Sequence, residues 1–242
     1  MNTVKRSLGG IKQFFIEVGE LSYFAGRFFK ELFKPPFEFK ELLRQCYHMG
    51  NRSLVLVMVT AFIIGLVLTL QSRPTLIEFG AESWMPNMVG ISIVRELGPV
   101  ITALVCAGRI ASGIGAELGS MRVTEQIDAM EVSGTNPFKY LVVTRILAIT
   151  LMLPLLVIMG DAIALYGSAL VENFKGNVSF QLYFNRVFDA LDYRDLVPAT
   201  IKSFFFGFAI GLVGCFKGYY RKKGPAGGGL AANTAVVFTS ML

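Results

Sequence analysis

The sequence has 242 residues, of which 53% are hydrophobic and 17% are charged, and its 23 basic and 17 acidic residues give a net charge of +6. Soluble domains carry about 25% charged residues, and here the apolar residues are gathered into long blocks. This composition excludes an ordinary soluble domain and predicts an all-α polytopic membrane protein. The excess positive charge lies beside the apolar blocks, which favours anionic lipid headgroups as its partners and argues against nucleic acid.

The first 52 residues are predicted to form helices at the cytoplasmic membrane interface. Residues 8–34 mix phenylalanines and charged residues at helical spacing, which predicts an amphipathic helix with its Phe side in the acyl boundary. A soluble helix packed on another subunit is the alternative. The Pro-Pro pair at 35–36 should end this helix, and a short helix over 38–49 should lead to a new helix start at 51–53.

The remaining residues, 53–242, are predicted to form one transmembrane domain. Apolar runs that suit a hydrocarbon layer of about 30 Å occupy 54–70, 88–111, 140–165 and 197–216. A last run, 231–242, is too short to cross and predicts an incomplete fifth span. Proline predicts bends at Pro99 and Pro154. Small residues predict close helix packing in the fourth run, at Gly207, Gly211 and Gly214.

The basic residues lie mainly on one side of the predicted membrane. Residues 1–52 hold nine of them, whereas the loop after the first apolar run holds only Arg73. The positive-inside rule therefore places the N-terminus and the segments 112–137 and 217–229 in the cytoplasm. The polar, aromatic segment 171–195 is then an external loop, in which a short helix is expected.

Cysteine, histidine and motif usage argue against an enzyme. The three cysteines, Cys46, Cys106 and Cys215, are far apart without a CxxC pair, and His48 is the single histidine. This argues against a disulfide framework or zinc site, and predicts that the cysteines pack as small apolar residues. The GxxxxGK[ST], HExxH and GxSxG patterns are absent from the sequence. We therefore expect no catalytic site, cofactor or metal in this chain, and uphill transport would need an ion gradient or a partner ATPase.

The second apolar run carries two charged residues, Arg95 and Glu96. On a helical wheel, Arg95 shares one stripe with Pro99, Thr102, Cys106 and Arg109. Glu96 points about 100° away. A charge that faces lipid near the bilayer middle costs at least ~2.5–3.5 kcal/mol, so both side chains should face an interior cavity or each other's surroundings. Two interpretations remain open: a polar lining of a substrate path, or a buried ion pair that joins two helices.

The segment 112–136 leaves the membrane and is predicted to dock on a partner. Its helical wheel separates an apolar side, made by Val123, Ile127 and Met130, from an acidic side, made by Glu117, Glu125, Asp128 and Glu131. Such a helix suits lateral docking into a groove, and a solvated surface helix is the alternative. Gly134 should end this helix, and the Asn-Pro pair at 136–137 should start the next one.

The motifs RELGP, AGR, AELG-x-MR-x-TEQIDA and Asn-Pro stand in this order between Arg95 and Pro137. In order and spacing they resemble the MlaE family of permeases, the membrane subunits of ABC transporters that work with MCE-domain proteins. The resemblance extends from the amphipathic N-terminus to the glycine-rich loop after the fourth run. It implies a homodimer in the bacterial inner membrane with a cytoplasmic N-terminus, an ATPase subunit that binds ATP and Mg, an MCE-domain protein on the periplasmic side, and phospholipid as cargo.

The resemblance also implies roles for individual residues. Arg95 and Glu96 would line the central lipid-binding cavity, where we also expect lipid-tail contacts from Leu66, Leu70 and Val94. The segment 117–134 would be a coupling helix on the ATPase. Its predicted coupling residues are Glu117, Arg122, Val123, Glu125, Ile127, Asp128 and Met130.

Hypotheses of different classes follow for the function. The first is a permease that moves phospholipid between inner and outer membranes and so maintains outer-membrane lipid asymmetry. The second is an ion- or proton-coupled secondary transporter using Glu96 and Asp161, because carboxylates within the membrane mark proton relays. The small number of spans and the lack of a visible internal repeat argue against the second. A third is a non-transporting anchor that only assembles partners.

Overall fold

The computed structural model describes residues 2–220, with side chains described from Ile16 onward. Within this range the chain is helical and has no strand. Four helices are long and apolar enough to cross a membrane, namely α2 (Phe39–Glu78), α3 (Glu82–Val123), α5 (Phe138–Gly176) and α7 (Tyr193–Tyr219). The other helices are α1 (Asn2–Leu32), α4 (Gln126–Val132) and α6 (Phe180–Ala190). The all-α polytopic fold is confirmed.

Helix α5 is the central element of the packing. It contacts α2 along one side and α7 along another, and α3 packs against α2, α5 and α7. Two buried apolar clusters result. The larger one joins α1, α2, α3, α4, α5 and α7, and the smaller one lies at the opposite end, where Met85, Val89 and Ile93 of α3 meet Tyr183 and Val187 of α6.

Helix α2 is longer than the sequence predicts. The predicted break at 51–53 is wrong, because these residues lie within one continuous helix of 40 residues. Ser53 is buried there, at 1% exposure, rather than capping a helix end. Pro74 is also inside the helix, near its C-terminal end. The predicted boundary between interfacial helices and transmembrane domain, at 52/53, therefore falls within this continuous helix.

Helix α1 confirms the predicted N-terminal helix, but only part of its Phe side is free to meet lipid. Phe24 and Phe28 are 0% and 2% exposed. The Phe24 ring lies 5.1 Å from the Phe138 ring and 5.6 Å from the Phe216 ring, edge to face. Phe33, by contrast, is 77% exposed. The prediction of a fully lipid-facing Phe side is wrong for the two buried rings, which attach α1 to the transmembrane core.

Glycine permits the close helix contacts, as predicted for α7. A β-carbon added to Gly207 would lie 2.9 Å from the Ile149 carbonyl oxygen of α5, and one added to Gly214 would lie 3.0 Å from the Ala111 Cα of α3. The same device joins α2 to α5, where a β-carbon at Gly167 would lie 2.7 Å from the Phe62 carbonyl oxygen. Small residues let backbones approach within van der Waals contact where lipid gives no hydrophobic driving force.

The start of α5 follows the prediction, but its end does not. Gly134 has a φ of 77° and closes α4, and the Asn136 Oδ1 accepts a hydrogen bond from the Lys139 N–H at 3.3 Å. The helix then runs to Gly176, eleven residues beyond the predicted end of the span. Asp161 therefore lies in the interior of α5.

The external segment contains the predicted short helix, α6. Ser179 caps it by accepting a hydrogen bond from the Leu182 N–H at 3.3 Å, and Asp192 starts α7 with a capping box. Cys106 and Cys215 are buried free thiols and Cys46 is a half-buried one, as expected of packing residues. Most of the predicted cytoplasmic segment 217–229 and the predicted incomplete fifth span lie outside the described residues.

Candidate functional site: charged residues on the membrane-spanning helices

Four charged side chains from α3 and α7 meet on one surface, and we name them the charge cluster: Arg95, Glu96, Asp195 and Lys202. The Lys202 Nζ donates hydrogen bonds of 2.9 and 3.0 Å to the two carboxylate oxygens of Glu96. The Arg95 Nη1 lies 3.7 Å from the Asp195 Oδ1, and its Nε lies 3.9 Å from the Glu96 Oε1. The cluster is neutral in sum, with two positive and two negative members.

The charge cluster is exposed on the monomer. The side chains of Arg95 and Glu96 are 59% and 58% exposed, and that of Lys202 is 41% exposed. The interpretation as a buried ion pair that joins two helices is right in one part and wrong in the other: Glu96 joins α3 to α7 through Lys202, but this pair is exposed on the monomer. Charged groups on an apolar helix surface call for water, a polar ligand or another protein surface beside them.

A π turn at Ile93–Leu97 carries Arg95 and Glu96. The N–H of Gly98 bonds to the Ile93 carbonyl, five residues back, and Pro99 has no N–H to offer. Proline and π turns are recognised causes of irregularity in long helices. Proline therefore explains why the regular hydrogen-bond ladder is interrupted where the two charges lie.

The predicted stripe on the second span is wrong. Pro99 and the residues one and two turns beyond it, Thr102 and Cys106, are buried, whereas Arg95 and Arg109 are exposed. A second π turn, Ala107–Ala111, contains Arg109. Each π turn takes up one more residue than an α-helical turn, so the helix beyond it is rotated relative to a regular wheel.

The three residues predicted to contact lipid tails lie in different environments. Leu70 of α2 is 41% exposed, and Leu66 of the same helix is half-buried. Val94 is 5% exposed and belongs to the apolar cluster with Val89 and Ile93. A tail contact by Val94 does not fit this burial, and its role in the monomer is packing.

Asp161 of α5 is a further ionisable residue on a membrane-spanning helix. Its Oδ1 is buried without a hydrogen-bond partner in the described part of the chain. The carboxylate packs directly on Gly98, which follows the first π turn, so that a side chain at this glycine would displace it. The surrounding pocket, lined in part by Thr60 and Thr102, measures about 20 Å³, the space of one water molecule.

The predicted coupling segment, 117–134, is not one helix. Helix α3 ends at Val123, Glu125 adopts a left-handed conformation with a φ of 58°, and α4 begins at Gln126. Ile127 is 1% exposed and Met130 packs against the same core. The predicted apolar docking side is therefore wrong in two of its three members, since only Val123, at 50% exposure, points outward. Val132, at 91% exposure, was missed.

Two ion pairs fix this segment to the rest of the protein. The Arg145 Nη2 of α5, whose side chain is 2% exposed, lies 2.7 Å from the Glu117 Oε1. The Arg122 Nη1 lies 2.7 Å from the Asp128 Oδ1 and so joins the end of α3 to α4 across the turn. Glu117, Arg122 and Asp128 thus have structural contacts within the monomer, in addition to any role on a partner.

Sequence reasoning missed a polar network at the other ends of α2 and α5. The Arg73 Nη1 lies 2.9 Å from the Glu172 Oε1, and its Nη2 bonds to Glu82. One turn away, Ser168 Oγ accepts hydrogen bonds from the Tyr183 hydroxyl at 2.7 Å and the Thr69 hydroxyl at 2.6 Å. Burial raises the pKa of Tyr183 to about 12.

The sequence contained one signal for this network. Arg73 and Glu172 each follow an apolar run at the end predicted to face outward. The matched depth of two opposite charges would have suggested a pair.

Comparison with known proteins identifies the family. A family model described as permease MlaE matches residues 42–242. The chain belongs to the MlaE permease family. As an MlaE-family permease it is an ABC transporter permease whose described part includes four helices able to span a membrane.

Relatives of this MlaE-family permease come from bacteria and a chloroplast. A probable ABC transporter permease protein of Rickettsia typhi is 39% identical over 225 residues, which cover 93% of this chain and 87% of the relative. The intermembrane phospholipid transport system permease protein MlaE of Haemophilus influenzae is 33% identical over 206 residues, covering 84% and 78%. The chloroplastic protein TRIGALACTOSYLDIACYLGLYCEROL 1 of Arabidopsis thaliana is 32% identical over 215 residues, covering 89% and 61%.

Proposed function

We propose that this MlaE-family permease is the membrane subunit of an ABC transporter that moves phospholipid between the bacterial inner and outer membranes and maintains outer-membrane lipid asymmetry. It acts as a homodimer in the inner membrane, with its N-terminus in the cytoplasm. A separate ATPase binds ATP and Mg on that side, and an MCE-domain protein receives or delivers lipid on the periplasmic side. The name of the Haemophilus influenzae relative, an intermembrane phospholipid transport permease, supports this cargo.

The exposed charge cluster is the observation that carries the proposal. Placing the charged side chain of Arg95 or of Glu96 against lipid tails would cost at least ~2.5–3.5 kcal/mol of free energy each. A second copy placed opposite this face would enclose the cluster in a cavity with apolar walls, to which Leu66 and Leu70 of α2 contribute. Such a cavity offers a phospholipid both a charged centre for its phosphate and apolar surface for its tails.

The α3–α4 turn is the proposed contact with the ATPase. Val123 and Val132 are exposed there, at 50% and 91%, while Ile127 beneath them is buried. The ion pair between Arg122 and Asp128 holds the turn in shape. Because α3 also carries the charge cluster, movement of this turn by the ATPase would be passed along one continuous helix to the lipid site.

Lipid analysis of the purified protein tests the proposal. Wild-type protein should retain phospholipid on gentle extraction, measured by native mass spectrometry, and Arg95→Gln should reduce the bound lipid about tenfold by removing a charged hydrogen-bond donor. Arg194→Gln is the matched control, because Arg194 is an exposed arginine next to Asp195 with no ion pair in the described residues. Equal lipid retention in both variants would contradict the proposal.

The alternative function is an ion- or proton-coupled transporter that uses Glu96 and Asp161. The unpartnered, buried Oδ1 of Asp161 is the observation that favours it. The driving force separates the two functions. The permease is placed in vesicles with its ATPase and ATP, and lipid movement is measured. Movement that neither a protonophore nor Asp161→Asn changes would support the ABC mechanism. Movement driven by a pH gradient without ATPase would support the alternative. Assembly of the partners without lipid movement under either driving force would support the anchor.

A further inference from the structure

A second polar region lies on α3, remote from the charge cluster. A cavity of about 440 Å³ separates α3 from the first turns of α2. We name it the α2–α3 cavity, and it is lined in part by His48, Arg52, Ser53, Arg109, Gly113 and Glu117. Arg109 follows Arg95 by 14 residues, roughly 21 Å along the helix axis, so the two regions do not overlap.

The α2–α3 cavity has an excess of positive charge. Arg52 and Arg109 are both exposed in it and have no ion-pair partner among the side chains described from Ile16 to Tyr220. Glu117 is already neutralised by Arg145, at 2.7 Å. Two positive charges therefore remain uncompensated within the described part of the chain, which suits an anion with more than one oxygen.

An unpartnered hydroxyl group in the wall also points to a ligand. Ser53 is 1% exposed, and its Oγ is buried without a hydrogen-bond partner among the described residues. Buried polar atoms normally have a partner. An oxygen-rich anion in the cavity would accept hydrogen bonds from this hydroxyl and from the two guanidinium groups.

The backbone around Arg109 has the same irregularity as that around Arg95. Each arginine lies in a π turn, Ala107–Ala111 and Ile93–Leu97 respectively, and such turns occur frequently at functional sites. One turn beyond Arg109, Gly113 leaves open space, because a β-carbon there would have no heavy atom within 4 Å. The cavity wall is thus open beside the arginine.

The arginines of the cavity lie at the depth of lipid headgroups. Arg52 lies two residues before the apolar part of α2, which begins at Leu54, and Arg109 lies two residues before residue 111, where the apolar run of α3 ends. We propose that the α2–α3 cavity binds a phosphate group, held by the forked donors of Arg52 and Arg109. The phosphate comes from a lipid headgroup or from free phosphate. Binding of a lipid headgroup here rests on the proposed transport function. It would be a second headgroup site on α3, in addition to the one at Arg95.

Thiol labelling at position 113 tests the proposal on the full chain. Gly113→Cys fits the open space, and a Cys46→Ala background removes the half-buried native thiol. The rate of maleimide reaction is compared in nanodiscs of a phosphate-free glycolipid and of phosphatidylglycerol. A second arm compares detergent micelles with and without inorganic phosphate. A lipid headgroup in the cavity slows the reaction in phosphatidylglycerol only, and free phosphate slows it in the micelles.

Arginine variants assign the protection to the proposed site. We expect about tenfold slower labelling in the protecting sample, and each of Arg52→Gln and Arg109→Gln should restore most of the rate. Arg44→Gln, on the same helix but 77% exposed and outside the cavity, should keep the protection. Three outcomes would each overturn the proposal. The protection could survive both arginine substitutions, the labelling rates could be equal in all samples, or the thiol could never react because protein covers it. The two proposals can fail separately. If the wild-type protein retains lipid and Arg95→Gln loses it, but labelling at position 113 shows no arginine-dependent protection, the cavity proposal is wrong and the proposed transport function stands.

Discussion

Removal of the Arg73 guanidinium should destabilise the permease far more than removal of an exposed arginine from the same helix. The side chain of Arg73 is 11% exposed and joins Glu172, 0% exposed, to Glu82. The second carboxylate oxygen of Glu172 has no hydrogen-bond partner in the described chain. Arg73→Met therefore leaves a buried carboxylate without compensation.

The loss in the free energy of unfolding depends on which member of the ion pair remains. Breaking a buried pair from one side costs about 3–5 kcal/mol, and we expect the lower end, about 3 kcal/mol, because Glu82 is 45% exposed to solvent. Glu172→Gln removes the buried charge and leaves Arg73 bonded to Glu82, so it should cost about 1 kcal/mol.

The matched control is Arg44→Met, which should cost less than ~1 kcal/mol. Arg44 is 77% exposed, at 3.4 Å from Glu41. Glu41 keeps its hydrogen bonds from Gln45 and Tyr140 when Arg44 is removed.

Unfolding in mixed micelles with increasing dodecyl sulfate measures these differences. The single tryptophan, Trp84, lies two residues from Glu82 and reports locally, while far-ultraviolet circular dichroism reports the loss of helix. The reasoning is refuted if Arg73→Met shifts the unfolding midpoint no more than Arg44→Met. It is also refuted if Glu172→Gln is as damaging as Arg73→Met, since the cost would then not come from an orphaned carboxylate.

Three further outcomes follow from contacts in the described chain. Gly65→Ala should cost about 1–3 kcal/mol because its β-carbon meets the α5 backbone, whereas Gly108→Ala, in open space, should be neutral or stabilising in the same micelle assay. Ile127→Asp should abolish folding by burying a charge, whereas Val132→Asp should leave unfolding unchanged and release the ATPase in co-purification. The raised pKa of Tyr183, about 12, favours its neutral form in the fold. Its contribution to the free energy of unfolding should be constant below about pH 10 and fall as pH rises from 10 through 12. Unfolding of the Tyr183→Phe variant, measured across the same pH range, should not show this fall.

The sequence predicted the fold wherever a local signal and the tertiary structure agree. Apolar length gives the four described spans, and Gly134 with the Asn-Pro pair gives the boundary between α4 and α5. The break predicted at 51–53 failed because helix signals of short polar residues are weak against the continuous packing of α2 on α5. Propensity at a few positions is overridden when both flanks of the segment pack on the same neighbour.

The candidate site was predictable in its residues but not in its geometry. The motif around Arg95 and Glu96 selects them, yet their partner Lys202 is more than a hundred positions away and no periodicity connects them. The helical wheel assumed a regular helix, whereas the π turns of α3 separate Arg95 and Arg109 from the buried side that Pro99, Thr102 and Cys106 share. The apolar side of 117–134 was recognised as such, but a wheel does not distinguish a side chain that packs on its own core, like Ile127, from one offered to a partner.

The two π turns also decide where α3 can lose a residue. In a regular α-helix, deletion of one residue rotates everything beyond it by about 100° and places every later side chain on the wrong face. A π turn already holds one residue more than an α-helical turn requires. A single deletion within Ile93–Leu97 or Ala107–Ala111 would therefore restore regular winding and leave the flanking segments in phase, so tolerance to length variation in this helix is confined to the two turns that carry Arg95 and Arg109.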